Sequence, residues 1–256
     1  MASPDQKRTS TLYHGDPPLA VDVALAFVFA VATFLSIAMA TGGSLPAVAA
    51  AQLIGLGAMP ILTTRVRRRP LADLGLIVPP TRAIAGAALI GVAIWYVDLR
   101  LVAPLSRWLG DHGESTRELS TLVTTTPIAT IVVLSVVPGL CEELACRGLL
   151  GLGLAARLGA PLAIAISAAA FAALHVSLVR AAPTFLLGVI LGIVTIRSRS
   201  VVPAMLAHAL NNLIALSLAA GYLRPLWTAI EAGPDVALGV AIGLVTVGIG
   251  IAWRRS

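Results

Sequence analysis

Charged residues are scarce in this chain, which has 256 residues of which only 12% are Asp, Glu, Lys or Arg. A soluble domain carries about 25% of these residues, so an ordinary soluble fold is excluded. Apolar residues make up 58% of the chain and its mean hydropathy is +0.93, which is typical of proteins embedded in a bilayer. Aromatic residues are also few, and Ala, Leu, Val and Gly dominate, as in membrane helices that pack closely through small residues.

Cysteine is almost absent, and both copies, Cys141 and Cys146, lie in one apolar stretch. Residues five positions apart lie on different faces of a helix, so a disulfide between these two cysteines is not expected. A spacing of this kind without a second pair of cysteines is weak support for a metal site. We therefore interpret both cysteines as small apolar packing residues.

Long apolar runs are the main feature that the sequence does contain. A membrane-spanning helix needs roughly 20 apolar residues, and the sequence has about eight such runs. We therefore predict an all-α fold, a polytopic membrane helical bundle of about eight transmembrane helices. Residues 1–18 are polar and predict a cytoplasmic tail, and 19–256 predict a single membrane domain. The predicted spans are 19–41, 45–63, 83–105, 127–154, 160–178, 182–197, 201–221 and 234–252.

The basic residues are distributed unevenly over the loops between these runs. With the N-terminus in the cytoplasm, twelve of them fall on the cytoplasmic side and four on the opposite side. The positive-inside rule therefore predicts that both the N- and C-termini are cytoplasmic. Since no basic run is interleaved with aromatic residues, the net charge of +6 does not indicate nucleic-acid binding. The twelve are Lys7, Arg8, Arg65, Arg67, Arg68, Arg69, Arg82, Arg157, Arg197, Arg199, Arg254 and Arg255, and the four are Arg107, Arg117, Arg180 and Arg224.

Two acidic residues fall in or near predicted spans away from any motif. Asp22 lies near the cytoplasmic start of the first span, where its carboxylate can reach water. Asp98 lies toward the outer end of the third span and is expected to pair with Arg100 or with interfacial water. We interpret both aspartates as structural.

Adjacent glutamates, Glu142 and Glu143, interrupt the apolar stretch that contains both cysteines, and Arg147 follows four residues after the second. An ionisable side chain inside a bilayer is costly, so these residues form a candidate functional site. In a helix, Glu143 and Arg147 lie one turn apart in the order that favours an ion pair. Glu142 points about 100° away, so it is predicted to stay outside this pair and to face other helices.

Histidine and asparagine are rare, yet they recur in apolar helical segments. His175 and His208 lie in such segments, and the only two asparagines of the chain, Asn211 and Asn212, follow His208. Asn212 shares the helix face of His208 because the two are four residues apart, and Asn211 is a weaker candidate for that face. The remaining histidines lie in predicted loops and are expected to be inert: His14 and His112.

Two chemical arrangements of these residues remain open. Polar groups in lipid need partners, so the fourth, fifth and seventh spans are expected to converge on one wet cavity. In the first arrangement, Glu142 and His175 activate a water, and His208 and Asn212 donate hydrogen bonds to an oxyanion. In the second, Glu142, His175 and His208 hold a divalent metal with one open position, as in a catalytic zinc site. Spacing alone does not separate these arrangements.

Three segments, in this order, resemble the CAAX-processing and bacteriocin-processing (CPBP, or Abi) family of membrane endopeptidases. The family's signature is EExxxR, then FxxxH, then HxxxN or HxxxD, on separate membrane helices. Here residues 142–147 carry the first motif, residues 171–175 the second and residues 208–212 the third. The resemblance covers about 127–220 and implies a catalytic core there.

The resemblance implies hydrolysis of a peptide bond inside or at the edge of the membrane. Carried over by position, Glu142 would activate the water with help from His175, while Glu143 and Arg147 would shape and orient the site. His208 and Asn212 would then stabilise the tetrahedral oxyanion. The family is often described as metalloproteases, and the cofactor is left open here: a divalent metal such as zinc, or none.

Three hypotheses about the function fit the sequence, and the endopeptidase is the one that the motifs favour. The endopeptidase hypothesis implies a peptide or lipid-anchored protein substrate, the lipid bilayer as surroundings, and a multi-pass protein of the cell membrane. The alternative is a non-catalytic membrane protein, such as a bacteriocin-immunity or scaffolding member of the same family. A third hypothesis, a proton-coupled transporter, is disfavoured because the sequence shows no internal repeat.

Overall fold

The computed structural model describes residues 16–42, 44–109, 128–175 and 177–253, and in these ranges it forms nine α-helices and one short 3₁₀ helix, with no strands. Several predicted features lie outside the described residues, including His14, His112 and most of the loop 106–126. The helices, in chain order, are α1 Ala20–Ala40, α2 Leu45–Val66, α3 Thr81–Leu109, α4 128–158, α5 Ala160–Leu174, α6 Leu178–Ser198, α7 Val202–Ala219, α8 Arg224–Ala232 and α9 Pro234–Trp253.

The predicted all-α membrane bundle is confirmed. Each of the eight predicted runs coincides with a long helix, and the short helix α8 is an addition that its mixed sequence did not predict. Within the described part of the chain, six helices are long and apolar enough to cross a bilayer: α1, α2, α3, α6, α7 and α9. Helix α5 is apolar but shorter, and α4 carries the charged motif. The number of spans, the side of the termini and the division into tail and domain stay predictions.

Helix ends follow local chemistry, and one predicted boundary is wrong. Gly159, with φ of +80°, ends α4, and a proline in its first turn opens α5. A break was also expected at Pro183, but this proline lies inside α6. Helix α6 begins at Leu178 because Ser177 acts as its N-cap, with its hydroxyl accepting from the backbone amide of Arg180 at 3.4 Å.

Helix packing brings the three motif-bearing helices together. Helix α7 packs against both α4 and α3, α5 packs along α6, and α9 covers α3. Gly139 allows a close approach of α4 to α7, because a Cβ atom there would lie 2.9 Å from the backbone nitrogen of Ala209. Helices related in this way through small residues are typical of membrane bundles.

Two helices change to π-helical hydrogen bonding in their central parts. The wider turns run over Gln52–Ala58 in α2 and Leu144–Leu152 in α4, and the two segments contact each other. In α4 the π-helical part begins directly after the glutamate pair and includes Arg147. Such segments are rare in proteins and are found frequently at functional sites.

Ion pairing at the outer end of α3 differs from the sequence-based expectation. Arg100 pairs with Asp235 at the start of α9, with the two side chains 3.1 Å apart, and it also contacts the hydroxyl of Tyr96. The buried Oδ1 atom of Asp98 has no hydrogen-bond partner among the described residues. Of the two predicted partners of Asp98, Arg100 is wrong, because the helix that approaches α3 there supplies a better-placed carboxylate. Pairing of Asp98 with interfacial water stays a prediction.

Candidate active site

A buried ion pair forms the centre of the site. Nη1 of Arg147 donates to Oε1 of Glu143 at 2.8 Å, and the two side chains are 1% and 0% exposed. The predicted pair of Glu143 with Arg147 is therefore confirmed. Since a buried charge without a partner is strongly destabilising, this pair sets the orientation of both side chains.

His208 of α7 joins this pair. Its Nδ1 atom lies 2.8 Å from Oε1 of Glu143, the same oxygen that accepts from Arg147. An ionised carboxylate only accepts hydrogen bonds, so Nδ1 carries the proton and the ring's second nitrogen, Nε2, is left for another group. The sequence did not predict this contact, which makes Glu143 the group that orients His208 as well as Arg147.

Glu142 is outside the ion pair, as the sequence predicts. It is buried, with 9% of its surface exposed. Its Oε1 atom accepts a hydrogen bond of 2.9 Å from Nε2 of Gln52 in α2. Its Oε2 atom has no hydrogen-bond partner among the described residues, although both His208 and His175 lie within electrostatic range. Oε2 of Glu143 is likewise buried and without a hydrogen-bond partner among the described residues, but the other oxygen of that carboxylate is already paired with Arg147 and His208.

His175 is half-buried and ends α5 as its C-terminal cap residue. Its Nδ1 atom lies 3.0 Å from the backbone carbonyl oxygen of Phe171. A carbonyl oxygen only accepts, so Nδ1 is the protonated nitrogen, and Nε2 can accept a hydrogen bond in the neutral ring. The local turn of α5 thus determines which ring nitrogen faces away from the helix.

The ring of Phe171 contacts both histidines and Arg147 of the ion pair. Its centroid lies 5.1 Å from that of His175 and 5.4 Å from that of His208, and both contacts are edge-to-face. The guanidinium carbon of Arg147 lies 4.1 Å from the same centroid. Phe171 is fully buried, so these geometries are enforced by packing as well as by attraction.

The two asparagines of α7 are bonded to each other. Nδ2 of Asn211 donates to Oδ1 of Asn212 at 3.1 Å. Asn211 is buried and Asn212 is half-buried. The amide nitrogen of Asn212 has no partner among the described residues, so it remains available as a donor on the side of α7 that carries His208.

Sequence reasoning missed two residues of this site. Gln52 lies in the second apolar run, far from the motifs, and the only signal was its polar side chain inside an apolar helix. Phe171 was recognised as part of a motif but was given no role. Gln52 and Phe171 both contact residues of other helices, and the spacing of residues along one helix does not reveal such contacts.

The donor set for a metal is not formed in this arrangement. Among the described residues there is no group of three or more His, Cys, Asp or Glu side chains placed to hold one ion. Glu142, His175 and His208, the predicted metal set, are held instead by Gln52, a backbone carbonyl and Glu143. Cys141 and Cys146 are buried free thiols, in agreement with their interpretation as packing residues.

Comparison with known proteins agrees with the motifs. Residues 124–214 match the model of a family described as type II CAAX prenyl endopeptidase Rce1-like. No curated protein and no solved structure matches the chain. The matched segment contains all of α4, α5 and α6 and most of α7, and so all three motifs. With its bundle of membrane helices, the chain is a multi-pass integral membrane protein, and its segment 124–214 is similar to the CAAX-processing family of membrane endopeptidases.

Proposed function

We propose that this chain hydrolyses a peptide bond of a membrane-associated protein or peptide in the cell membrane, with Glu142 as the base that activates water. One observation carries the proposal: among the described residues, Glu142 has an unpartnered buried Oε2 atom and is bonded through Oε1 only to the neutral amide of Gln52. Oε2 of Glu143 is also unpartnered there, but that carboxylate is already engaged by Arg147 and His208. A carboxylate that is fixed through one oxygen and open at the other is arranged for proton transfer.

In the proposed reaction, a water molecule lies between Oε2 of Glu142 and Nε2 of His175. Glu142 takes a proton from this water while the oxygen of the water forms a bond to the carbonyl carbon of the substrate. The tetrahedral intermediate then collapses, the bond between carbon and nitrogen breaks, and Glu142 returns the proton to the departing amine. The products are a free carboxyl group and a free amino group, and Glu142 ends as it began.

The oxyanion of this intermediate needs donors on the opposite side. Nε2 of His208 and the amide nitrogen of Asn212 are the proposed donors, since neither nitrogen is used by another described residue. When His208 is an imidazolium, both ring nitrogens carry protons, and the carboxylate of Glu143 compensates its charge. Donors fixed in this way before the reaction stabilise developing negative charge without reorganisation.

Glu143 and Arg147 have a supporting role in this proposal. Glu143 holds His208 in one tautomer, as the buried aspartate does for the histidine of a serine protease. Arg147 neutralises Glu143 and contacts the ring of Phe171, whose edge contacts fix both histidines. The site is therefore described as one base, two oxyanion donors and a buried group of residues that orients them.

The substrate is proposed as a peptide or a lipid-anchored protein that reaches the site within the bilayer. The name of the matched family refers to prenylated CAAX termini, which makes farnesylated peptides the first substrates to test. A donor set for a metal is not formed among the described residues, so no step of the proposed reaction uses one.

The test uses the purified chain in lipid nanodiscs with a fluorogenic peptide library that includes farnesylated CAAX peptides. Wild type is expected to cleave a subset, and Glu142→Gln is expected to abolish cleavage while the thermal unfolding curve is preserved. The matched control is Glu231→Gln, because Glu231 is an exposed glutamate of α8 and its loss should leave cleavage intact. Full cleavage by Glu142→Gln would overturn the proposal and favour the non-catalytic alternative.

A further inference from the structure

A hydrogen bond connects Glu142 with a helix outside the matched segment. Nε2 of Gln52, in α2, donates to Oε1 of Glu142, in α4, at 2.9 Å. The two residues are 90 positions apart and are 8% and 9% exposed. The family match begins at residue 124, so no motif includes Gln52.

The position of Gln52 is fixed by close packing on both sides of α2. Gly55 lies against the backbone of Phe34 in α1, where a Cβ atom would be 2.5 Å from the Phe34 nitrogen. Gly57 lies against Cys141, the residue before Glu142, where a Cβ atom would be 3.1 Å from its sulfur. Gln52 is also the first residue of the π-helical segment of α2. These contacts pack the backbone of α2 closely against α1 and α4 near Gln52.

A buried amide group such as that of Gln52 destabilises the fold unless it forms a hydrogen bond. Burying an amide in an apolar environment without a hydrogen bond is unfavourable, so Gln52 needs a partner. The only hydrogen bond of its side chain within the described residues is to Glu142. An amide donor carries no charge and does not take up the proton that Glu142 handles, so it orients the carboxylate without competing in the chemistry.

We propose that Gln52 is a positioning residue that orients the Glu142 carboxylate, so that Oε2 faces the reacting water. This inference rests on the proposed function of Glu142 as the base. It has a structural consequence: the apolar N-terminal helices complete the site, and the matched segment 124–214 does not contain everything that the reaction needs. Partners in the second layer of a site typically change activity about 10- to 100-fold.

The test compares Gln52→Met with wild type in nanodiscs, using a peptide that the wild-type chain cleaves. Methionine is unbranched and of similar length but does not donate a hydrogen bond. We expect kcat to fall about 10- to 100-fold while KM changes less than about threefold, since the substrate does not contact Gln52. The matched control is Leu53→Met, which places the same side chain at the next, lipid-exposed position of α2 and should keep full activity.

A second comparison separates positioning from a general loss of stability. In Glu142→Asp the side chain is one methylene shorter, so its carboxylate no longer reaches Gln52. In this background, Gln52→Met is expected to cause no further loss of kcat. The same fractional loss in both backgrounds would overturn the inference, as would wild-type kcat in Gln52→Met.

The proposed function and this inference fail in different ways. If Glu142→Gln is inactive but Gln52→Met keeps wild-type kcat, the proposed function stands and the role of Gln52 is rejected. If Glu142→Gln cleaves normally, the base is misassigned and the role of Gln52 is rejected with it.

Discussion

Nδ1 of His208 lies 2.8 Å from Oε1 of Glu143, although the two residues are 65 positions apart and belong to different helices. The same oxygen accepts from Arg147, so one buried carboxylate fixes two cationic or potentially cationic side chains. This contact distinguishes the adjacent glutamates. Glu143 orients Arg147 and His208 through its Oε1 atom, whereas Oε1 of Glu142 accepts only from the neutral amide of Gln52 among the described residues.

The central ion pair gives a prediction about stability. Glu143→Ala leaves the buried guanidinium of Arg147 without a counter-charge, so the free energy of unfolding is expected to fall by about 3–5 kcal/mol. Equilibrium unfolding in mild detergent measures this change. The double variant Glu143→Ala/Arg147→Met is expected to recover part of the loss, because it also removes the uncompensated charge. Additive losses in the double variant would contradict the buried pairing.

The aromatic contact predicts a loss of both stability and activity. Phe171→Leu keeps the site apolar but removes two edge contacts with histidines and one with a guanidinium. Each aromatic pair contributes about 0.5–1.5 kcal/mol beyond burial, so a loss of at least about 1 kcal/mol is expected, together with a lower kcat. Phe185→Leu is the control, since Phe185 is 40% exposed on α6. Equal effects of the two substitutions in unfolding and cleavage assays would reject the role of Phe171.

The asparagine pair predicts a graded effect on catalysis. Asn212→Leu removes the proposed oxyanion donor, and kcat is expected to fall about 10²- to 10³-fold with little change in KM. Asn211→Leu removes only the group that orients Asn212, so its effect is expected to be smaller. Steady-state cleavage kinetics measure both. A larger loss for Asn211→Leu than for Asn212→Leu would reverse the assignment.

Chelation tests the choice between the two chemical arrangements. Because no group of three metal-ligating side chains is formed among the described residues, cleavage is expected to persist after dialysis against EDTA and 1,10-phenanthroline. Metal analysis of the dialysed protein provides the control for complete removal. Loss of cleavage that zinc restores would favour the metal site of Glu142, His175 and His208.

The close approach of α4 and α7 predicts a steric effect at Gly139. In Gly139→Ala, the added Cβ atom would lie 2.9 Å from the nitrogen of Ala209, so the helices must separate. Separation moves Glu143 away from His208, and both thermal stability and cleavage are expected to decrease. Gly243→Ala in α9 is the matched control, since nothing lies within 4 Å of its added Cβ atom. A neutral Gly139→Ala would show that this contact does not hold the site together.

The extent and order of the helices were predictable because they depend on local properties. Apolar runs long enough to span a bilayer, separated by glycine, proline and charge, predicted the long helices to within a few residues at most ends. The misplaced break at Pro183 shows the limit of this reasoning. There the N-cap Ser177 determines where α6 begins, and a proline near the start of a helix does not interrupt it.

In the candidate site, too, contacts within one helix were predictable from the sequence, and contacts between helices were not. The sequence by itself determined the pair of Glu143 with Arg147, because a separation of four residues brings two side chains together in any helix. Only the tertiary structure decided that His208 bonds to Glu143, that Gln52 holds Glu142 and that Arg100 pairs with Asp235. Contacts between helices depend on the distance between the helices, which the small residues set, and on the orientation of each side chain. Neither the distance nor the orientation follows from the spacing of residues along one helix.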